Sequence, residues 1–205
     1  MTHIAAAILA GGRGERLGGV NKALLVVDGT RLIDRILGAL AHVDTVLLCA
    51  GGNDFPTDIA IPATARLADL DAPYAGPLAG LAAAVEALCS DPPDLLLTVA
   101  VDTPFFPADF IARALPLIES SEAVMGAYQG QDYPTNTLWR VSAVAELADS
   151  VRAGTAPHSL KRLAGSLRAT RLDYTGTSAE NPFANANTPA ELEHLRARAT
   201  ARKPA

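Results

Sequence analysis

The sequence predicts an α/β fold in which a mostly parallel sheet is covered by helices on both faces. Three observations carry this expectation. Residues 4–10 (IAAAILA) form an apolar run with no polar alternation, as a strand buried on both faces requires. Residues 95–101 (LLLTVAV) are a second and stronger run of the same kind. Around them, strand-like stretches alternate with helical ones, which is the opening pattern of a doubly wound sheet.

The first run ends in a loop containing Gly11, Gly12, Gly14, Gly18 and Gly19, with Arg13, Arg16 and Lys22 set among them. Glycines let a ligand lie directly on the backbone amides. Cations beside free N–H groups make a cradle for phosphate. Open α/β sheets bind their ligands at the carboxyl ends of strands, where this loop falls. The plainer reading is a glycine-rich connection with solvated charges. Two other phosphate motifs are excluded by spelling. Lys22 is followed by Ala23, so the pattern G-x-x-x-x-G-K-[ST] is absent. Leu17 stands where a dinucleotide fingerprint needs its third glycine.

Residues 23–27 are again apolar, and Asp28-Gly29 reads as a tight turn. Thr30 is expected to cap a helix over 31–43, whose Leu32, Ile33, Ile36, Leu37 and Leu40 share one face. Residues 46–50 read as a buried strand ended by Gly51-Gly52-Asn53-Asp54, and 59–61 as a weaker strand. Gly76-Pro77 starts a helix that continues through 81–88, with the proline in its first turn.

The strand over 95–101 runs directly into Asp102-Thr103-Pro104. That places a carboxylate on the ligand-binding edge, and the proline stops the strand. A single carboxylate completed by substrate phosphates and water suits magnesium. An aspartate that only caps the next turn is the structural alternative.

Beyond it, 107–119 reads as a helix, 123–128 as a strand and 129–132 as a turn. Residues 133–140 are expected to form an edge strand, because Pro134 cannot donate to a ladder. An amphipathic helix over 142–153 ends at Gly154, followed by a short helix over 159–164 and a strand over 167–174. Trp139 reads as a packing residue. His158, Lys161 and Arg162 suit either a second anionic substrate or a solvated helix face. Thr188, Pro189 and Glu191 open the last helix. Helix initiation does not account for Asn185 and Asn187, which are spaced to point the same way from an extended segment.

Composition narrows the function. The 205 residues suit one domain over 1–195, with a basic tail over 196–205 that is expected to fray. Apolar residues make up 49%, much of it alanine, which calls for closely packed elements. A net charge of −5 and 5% aromatic residues argue against nucleic acid as a partner. Cys49 and Cys89 form no C-x-x-C pair, so zinc and redox motifs are unsupported and both are expected to be packed, reduced thiols. No apolar run approaches the ~20 residues of a membrane span and no cleavable leader is evident, so a cytoplasmic protein without membrane contact is expected.

The stretch LAGGRGERLGGVNKALL resembles the signature of the nucleotidyltransferases, in particular the MobA-like molybdenum cofactor guanylyltransferases, whose form is close to LAGG-x-x-x-R-M-G-G-x-D-K-x-L-L. GPLAGL over 76–81, D-x-P over 102–104 and F-x-N-x-N-T-P over 183–189 resemble the same family in the same order, from Leu9 to Leu192. The resemblance implies a three-layer α/β/α sandwich of Rossmann-like nucleotidyltransferase type. It implies transfer of GMP from GTP to the terminal phosphate of molybdenum-bearing molybdopterin, with release of pyrophosphate. It also implies roles. Arg16 and Lys22 would meet the β- and γ-phosphates, and Leu9, Ala10, Gly11 and Gly12 would offer backbone to the nucleotide. Asp69, with Asp71 close by, and the turn at Gly76 would face guanine. Asp102 would hold Mg²⁺, with Asn185 and Asn187 near the metal and phosphates. No histidine or nucleophile is required. Molybdoenzyme maturation proteins are further implied partners.

Leu17 stands for the family's methionine, a mild change; Asn21 stands for its aspartate, which removes a charge beside Lys22. Two other readings share these motifs. One is a sister transferase using CTP, or one acting on another phosphorylated acceptor. The other is a guanine-nucleotide-binding maturation partner without turnover.

Overall fold

The computed structural model describes residues 2–12, 17–61, 65–70 and 76–201. Arg13, Gly14 and Arg16 of the glycine loop, Asp71, and residues 202–205 of the expected tail lie outside the described residues. In chain order the strands are β1 (Ile4–Leu9), β2 (Val26–Val27), β3 (Thr30–Arg31), β4 (Thr45–Cys49), β5 (Arg66–Leu67), β6 (Leu95–Ala100), β7 (Ala123–Tyr128), β8 (Gln131–Arg140) and β9 (Thr170–Asp173). The helices are α1 (Leu32–Ala39), α2 (Pro77–Ala87), α3 (Phe110–Ile118), α4 (Val141–Val144), α5 (Leu147–Arg152), α6 (Leu160–Ser166) and α7 (Pro189–Ala201).

Among the described residues, seven strands form one sheet in the order β5-β4-β1-β6-β8-β7-β9. Every neighbouring pair is parallel except the two that β8 makes, with β6 and with β7. From β1 the chain crosses to β4 on one side and later to β6 on the other. A sheet that reverses its winding in this way opens a crevice at the carboxyl ends of the strands on either side of the switch. Leu9 and Ala100 end there side by side.

Burial explains the layers. In β1, Ala6 and Ile8 face one core with Ile33 and Ile36 of α1 and Phe110 and Ala114 of α3. Ala5, Ala7 and Leu9 face the other, with Leu78, Leu81 and Val85 of α2, Val151 of α5 and Leu163 of α6. This is a three-layer α/β/α sandwich. Gly80 lets α2 approach β1 closely, since a Cβ there would lie 3.1 Å from Leu9 Cδ2. Trp139 is fully buried, with its indole N–H donating to Thr98 Oγ1 at 3.0 Å.

Five expectations need correction. Strand β8 is interior, not an edge. Its register jumps between Met125, opposite Thr137, and Gly126, opposite Tyr133, so residues 134–136 bulge out of the ladder. Its pairing with β6 stops at Thr98 opposite Thr137. Pro134 therefore falls where neither neighbour needs its N–H. Thr30 does not cap α1, because it pairs with Val27 in the β2–β3 hairpin. Residues 59–61 are not a strand. Arg66 donates to the carbonyls of Phe55, Pro56 and Ile61 and gathers that loop, while β4 takes Arg66–Leu67 as its neighbour. The helix expected over 142–153 is divided into α4 and α5. Cys89 is exposed, whereas Cys49 is buried.

The last helix runs to Ala201, and within it Arg198 is 5% exposed, its guanidinium 4.1 Å over the Phe105 ring.

Candidate active site

Lys22 lies on a single 3-10 turn, Lys22–Leu24, that follows the glycine loop. Asn21 caps this turn, its Oδ1 accepting from Ala23 N at 3.1 Å. The other half of the Asn21 amide donates to Asp54 O at 3.0 Å and ties the turn to the loop after β4. Asn21 does not touch the ammonium. Lys22 Nζ instead donates to Asp102 Oδ2 at 2.7 Å and to Asn187 Oδ1 at 2.5 Å. The side chains of Lys22 and Asp102 are 14% and 15% exposed, so water screens this ion pair only weakly.

Asp102 follows β6 directly, and Thr103 turns the chain by donating its hydroxyl to Ala100 O at 2.6 Å. The backbone N–H of Ala186 donates to Asp102 O at 3.1 Å, which brings the approach to α7 alongside the end of β6. Thr188 and Glu191 form a capping box. Thr188 Oγ1 accepts from Glu191 N at 3.2 Å, and Glu191 Oε2 accepts from Asn187 N and Thr188 N, each at 2.9 Å. The box thus fixes the backbone that carries Asn187. The gap that the β8 bulge leaves beside β6 is closed by Asn136, whose Oδ1 accepts from Ala100 N at 3.2 Å.

The opposite wall is built around Asp69. This half-buried carboxylate has its pKa raised by loss of solvation, and among the described residues no donor reaches it. It stands over a close contact between two loops. A Cβ on Gly51, whose φ is +58°, would lie 2.9 Å from Gly11 Cα. Only glycine tolerates both that backbone and that approach. Gly76, at φ +94°, turns the chain into α2, and Pro77 takes its first position. Cys49 donates its thiol to Gly80 O at 3.1 Å, and burial, aided by the Asp69 charge, pushes its pKa up to about 12. It is therefore an inert thiol at neutral pH.

These walls enclose a cavity of about 270 Å³. Leu9, Ala10, Gly11, Gly12, Lys22, Asp69, Gly76, Asp102 and Asn185 all line it. Of the residues singled out from the sequence, Asn187 reaches the same centre through Lys22, and Arg16 lies outside the described residues. The two asparagines differ in what they meet: Asn187 holds the ammonium, and Asn185 faces the cavity. A second, more open cleft of about 670 Å³ lies beside the first, and Thr135 and Asn185 line both.

Sequence reasoning missed Asn53 and Thr135. Asn53 Nδ2 donates to Ala10 O at 2.8 Å and so pins the start of the glycine loop. Its place after a glycine pair at the carboxyl end of a strand was the available signal. Thr135 sits on the β8 bulge, which no single-strand pattern announces.

The donor set fits a hard divalent cation. Asp102 and Asn187 present oxygens that converge on one nitrogen, at 2.7 and 2.5 Å, and Mg²⁺ takes oxygen ligands while retaining waters and substrate phosphates. Among the described residues no group of three His, Cys, Asp or Glu side chains could hold a metal by itself.

Comparison with known proteins gives the family and the fold. A family model for the MobA-like NTP transferase domain matches residues 6–170. A molybdenum cofactor guanylyltransferase from Acidiphilium cryptum is 33% identical over 195 residues, covering 94% of this chain and 93% of the relative. One from Rhodobacter capsulatus is 34% identical over 191 residues, covering 93% of each. Among solved structures, the molybdopterin-guanine dinucleotide biosynthesis protein A from Archaeoglobus fulgidus has a TM-score of 0.73 at 18% identity, covering 96% of this chain and 99% of that one. The 2-C-methyl-D-erythritol 4-phosphate cytidylyltransferase from Thermus thermophilus has a TM-score of 0.67 at 20% identity, covering 98% and 100%. At such identities the structural likenesses speak for the fold alone, and the sequence matches speak for the family. The chain belongs to the MobA-like NTP transferase family of nucleotidyltransferases.

Proposed function

We propose that this protein transfers GMP from GTP to the terminal phosphate of molybdenum-bearing molybdopterin and releases pyrophosphate. The observation that carries this reading is the cavity at the switch point of the sheet, with a cation and a carboxylate at one wall and, at the other, the Asp69 carboxylate, which no donor among the described residues reaches. The names of the relatives support the choice of substrates.

Guanine presents an N1–H and an amino group, both donors. Asp69, beside the turn at Gly76, is the acceptor that suits them. Lys22, with Arg16 of the same loop, binds the β- and γ-phosphates, while the amides of the glycine loop receive the rest. An oxygen of the acceptor's phosphate attacks the α-phosphorus in line. The bond from that phosphorus to the bridging oxygen breaks, and its electron pair leaves with pyrophosphate. The protein's share of the work is to position two anions and to offset their charge. Asp102 and Asn187 would hold Mg²⁺, which would supply charge neutralisation at the phosphoryl group. The second cleft gives the acceptor room next to the junction at Thr135 and Asn185. Its described lining holds no lysine or arginine, and its carboxylates, Asp132 and Glu191, are engaged by Arg171 and by the backbone of Asn187 and Thr188. It therefore suits the uncharged pterin body, met by Gln131, Tyr133, Asn181 and His194. Among the described residues no helix is long and apolar enough to cross a membrane, and we place the reaction in the cytoplasm.

Substrate competition tests this reading. Purified protein given molybdopterin, Mg²⁺ and equal GTP, CTP and ATP should consume GTP, because a site built to pair with one base's donors rejects a base that leaves its groups unpaired. Use of CTP at a matching rate would place the protein among cytidylyltransferases instead.

A further inference from the structure

Lys22 Nζ occupies the point on which Asp102 Oδ2 and Asn187 Oδ1 converge, at 2.7 and 2.5 Å. These are the same two oxygens that a divalent cation would take. An ammonium and a dication cannot share that point, so binding of one requires departure of the other. Lys22 is well placed to leave. Its backbone is held by the Asn21 cap and the Asn21–Asp54 bond, while its side chain is a flexible four-carbon stem that also lines the nucleotide cavity. Among the described residues, no other cation forms an ion pair with Asp102.

We propose that Lys22 closes the metal position of the nucleotide-free protein, and that incoming nucleotide phosphates open it by drawing the ammonium into the cavity. The oxygen pair then becomes free for a divalent cation at the moment the phosphates arrive to complete its coordination. Metal binding thereby depends on nucleotide, and the ion pair guards Asp102 until then. This inference rests on the nucleotidyl-transfer reading for the identity of the anion; the competition between ammonium and metal stands apart from it.

The test uses Mn²⁺ as probe, with no nucleotide and no acceptor, and reads free Mn²⁺ by electron paramagnetic resonance. Lys22→Met should bind Mn²⁺ at least about tenfold more tightly than the natural protein. Adding Asn187→Ala to that variant should remove most of the gain, because the second oxygen is lost. Lys22→Gln serves the same purpose should the methionine variant melt at the assay temperature. Affinity in both Lys22 variants no higher than in the natural protein would overturn the proposal. So would a gain that survives Asn187→Ala, since it would reflect only removal of a positive charge from the neighbourhood. Failure of guanylyl transfer would show in turnover and leave this measurement intact. A negative Mn²⁺ result would leave the transfer reading standing.

Discussion

The backbone N–H of Ala186 donates to the carbonyl of Asp102 at 3.1 Å. This one bond joins the end of the central strand β6 to the extended segment that precedes α7. It brings Asp102 and Asn187 together, and both accept from Lys22 Nζ. Two stretches far apart in the chain thereby act as one wall of the site.

Asp102→Asn tests that wall. The variant keeps the shape of the side chain and should fold normally, as seen by its thermal melt and circular dichroism. Turnover should fall at least ~100-fold, the scale seen when one preorganised charge-stabilising group is removed. In EDTA its affinity for GTP should equal or exceed that of the natural protein, because Lys22 is released from its ion pair. Near-normal turnover at saturating Mg²⁺ would take Asp102 out of the reaction.

Asn21→Asp addresses the departure from the family pattern. A carboxylate at position 21 keeps the acceptor that caps Ala23 N but loses the donor to Asp54 O. The variant should melt at a lower temperature. Its turnover should change by less than about tenfold, or ~1.4 kcal/mol. A natural protein that binds GTP without turnover, and gains activity on this substitution, would favour the binding-partner reading.

Much of this site is legible in the sequence because its parts end apolar runs. Asp102 closes the most apolar strand, and the glycine loop closes the first. Thr188 and Glu191 announce their helix start by spacing alone. What is hidden arises from relations between segments. The β8 bulge is a register shift against β7, so Pro134 suggested an edge where the sheet has an interior strand. Thr30 has the chemistry of a helix cap, yet the hairpin with Val27 takes it first. Asn53 matters through two loop carbonyls that only the fold brings to it.

Asp69→Asn should separate stability from function. Burial raises the Asp69 pKa, so the folded chain holds that proton more tightly than the unfolded chain does. Stability is therefore lost as the pH rises above the ordinary value of 3.8, until the group is ionised in both states. The variant should melt at a higher temperature than the natural protein at pH 7 to 8, with the difference vanishing as the pH falls toward 3.8. Its GTP affinity should drop at least about tenfold. Thermal melts across pH and calorimetric titration with GTP check both halves.

Gly51→Ala probes the contact between the two loops. Its φ of +58° is strained for alanine, and the new methyl would lie 2.9 Å from Gly11 Cα. The expected cost is about 1–3 kcal/mol in urea unfolding. GTP binding should weaken as well, because Gly11 is displaced.

The most direct measurement follows the bond that breaks. Purified protein with Mg²⁺ and molybdenum-bearing molybdopterin is given GTP labelled on the α-phosphate in one reaction and on the γ-phosphate in another. The α label should appear in a molybdopterin–GMP dinucleotide and the γ label in pyrophosphate, in equal amounts. Release of the γ label as inorganic phosphate, or GTP bound without transfer of the α label, would contradict the account.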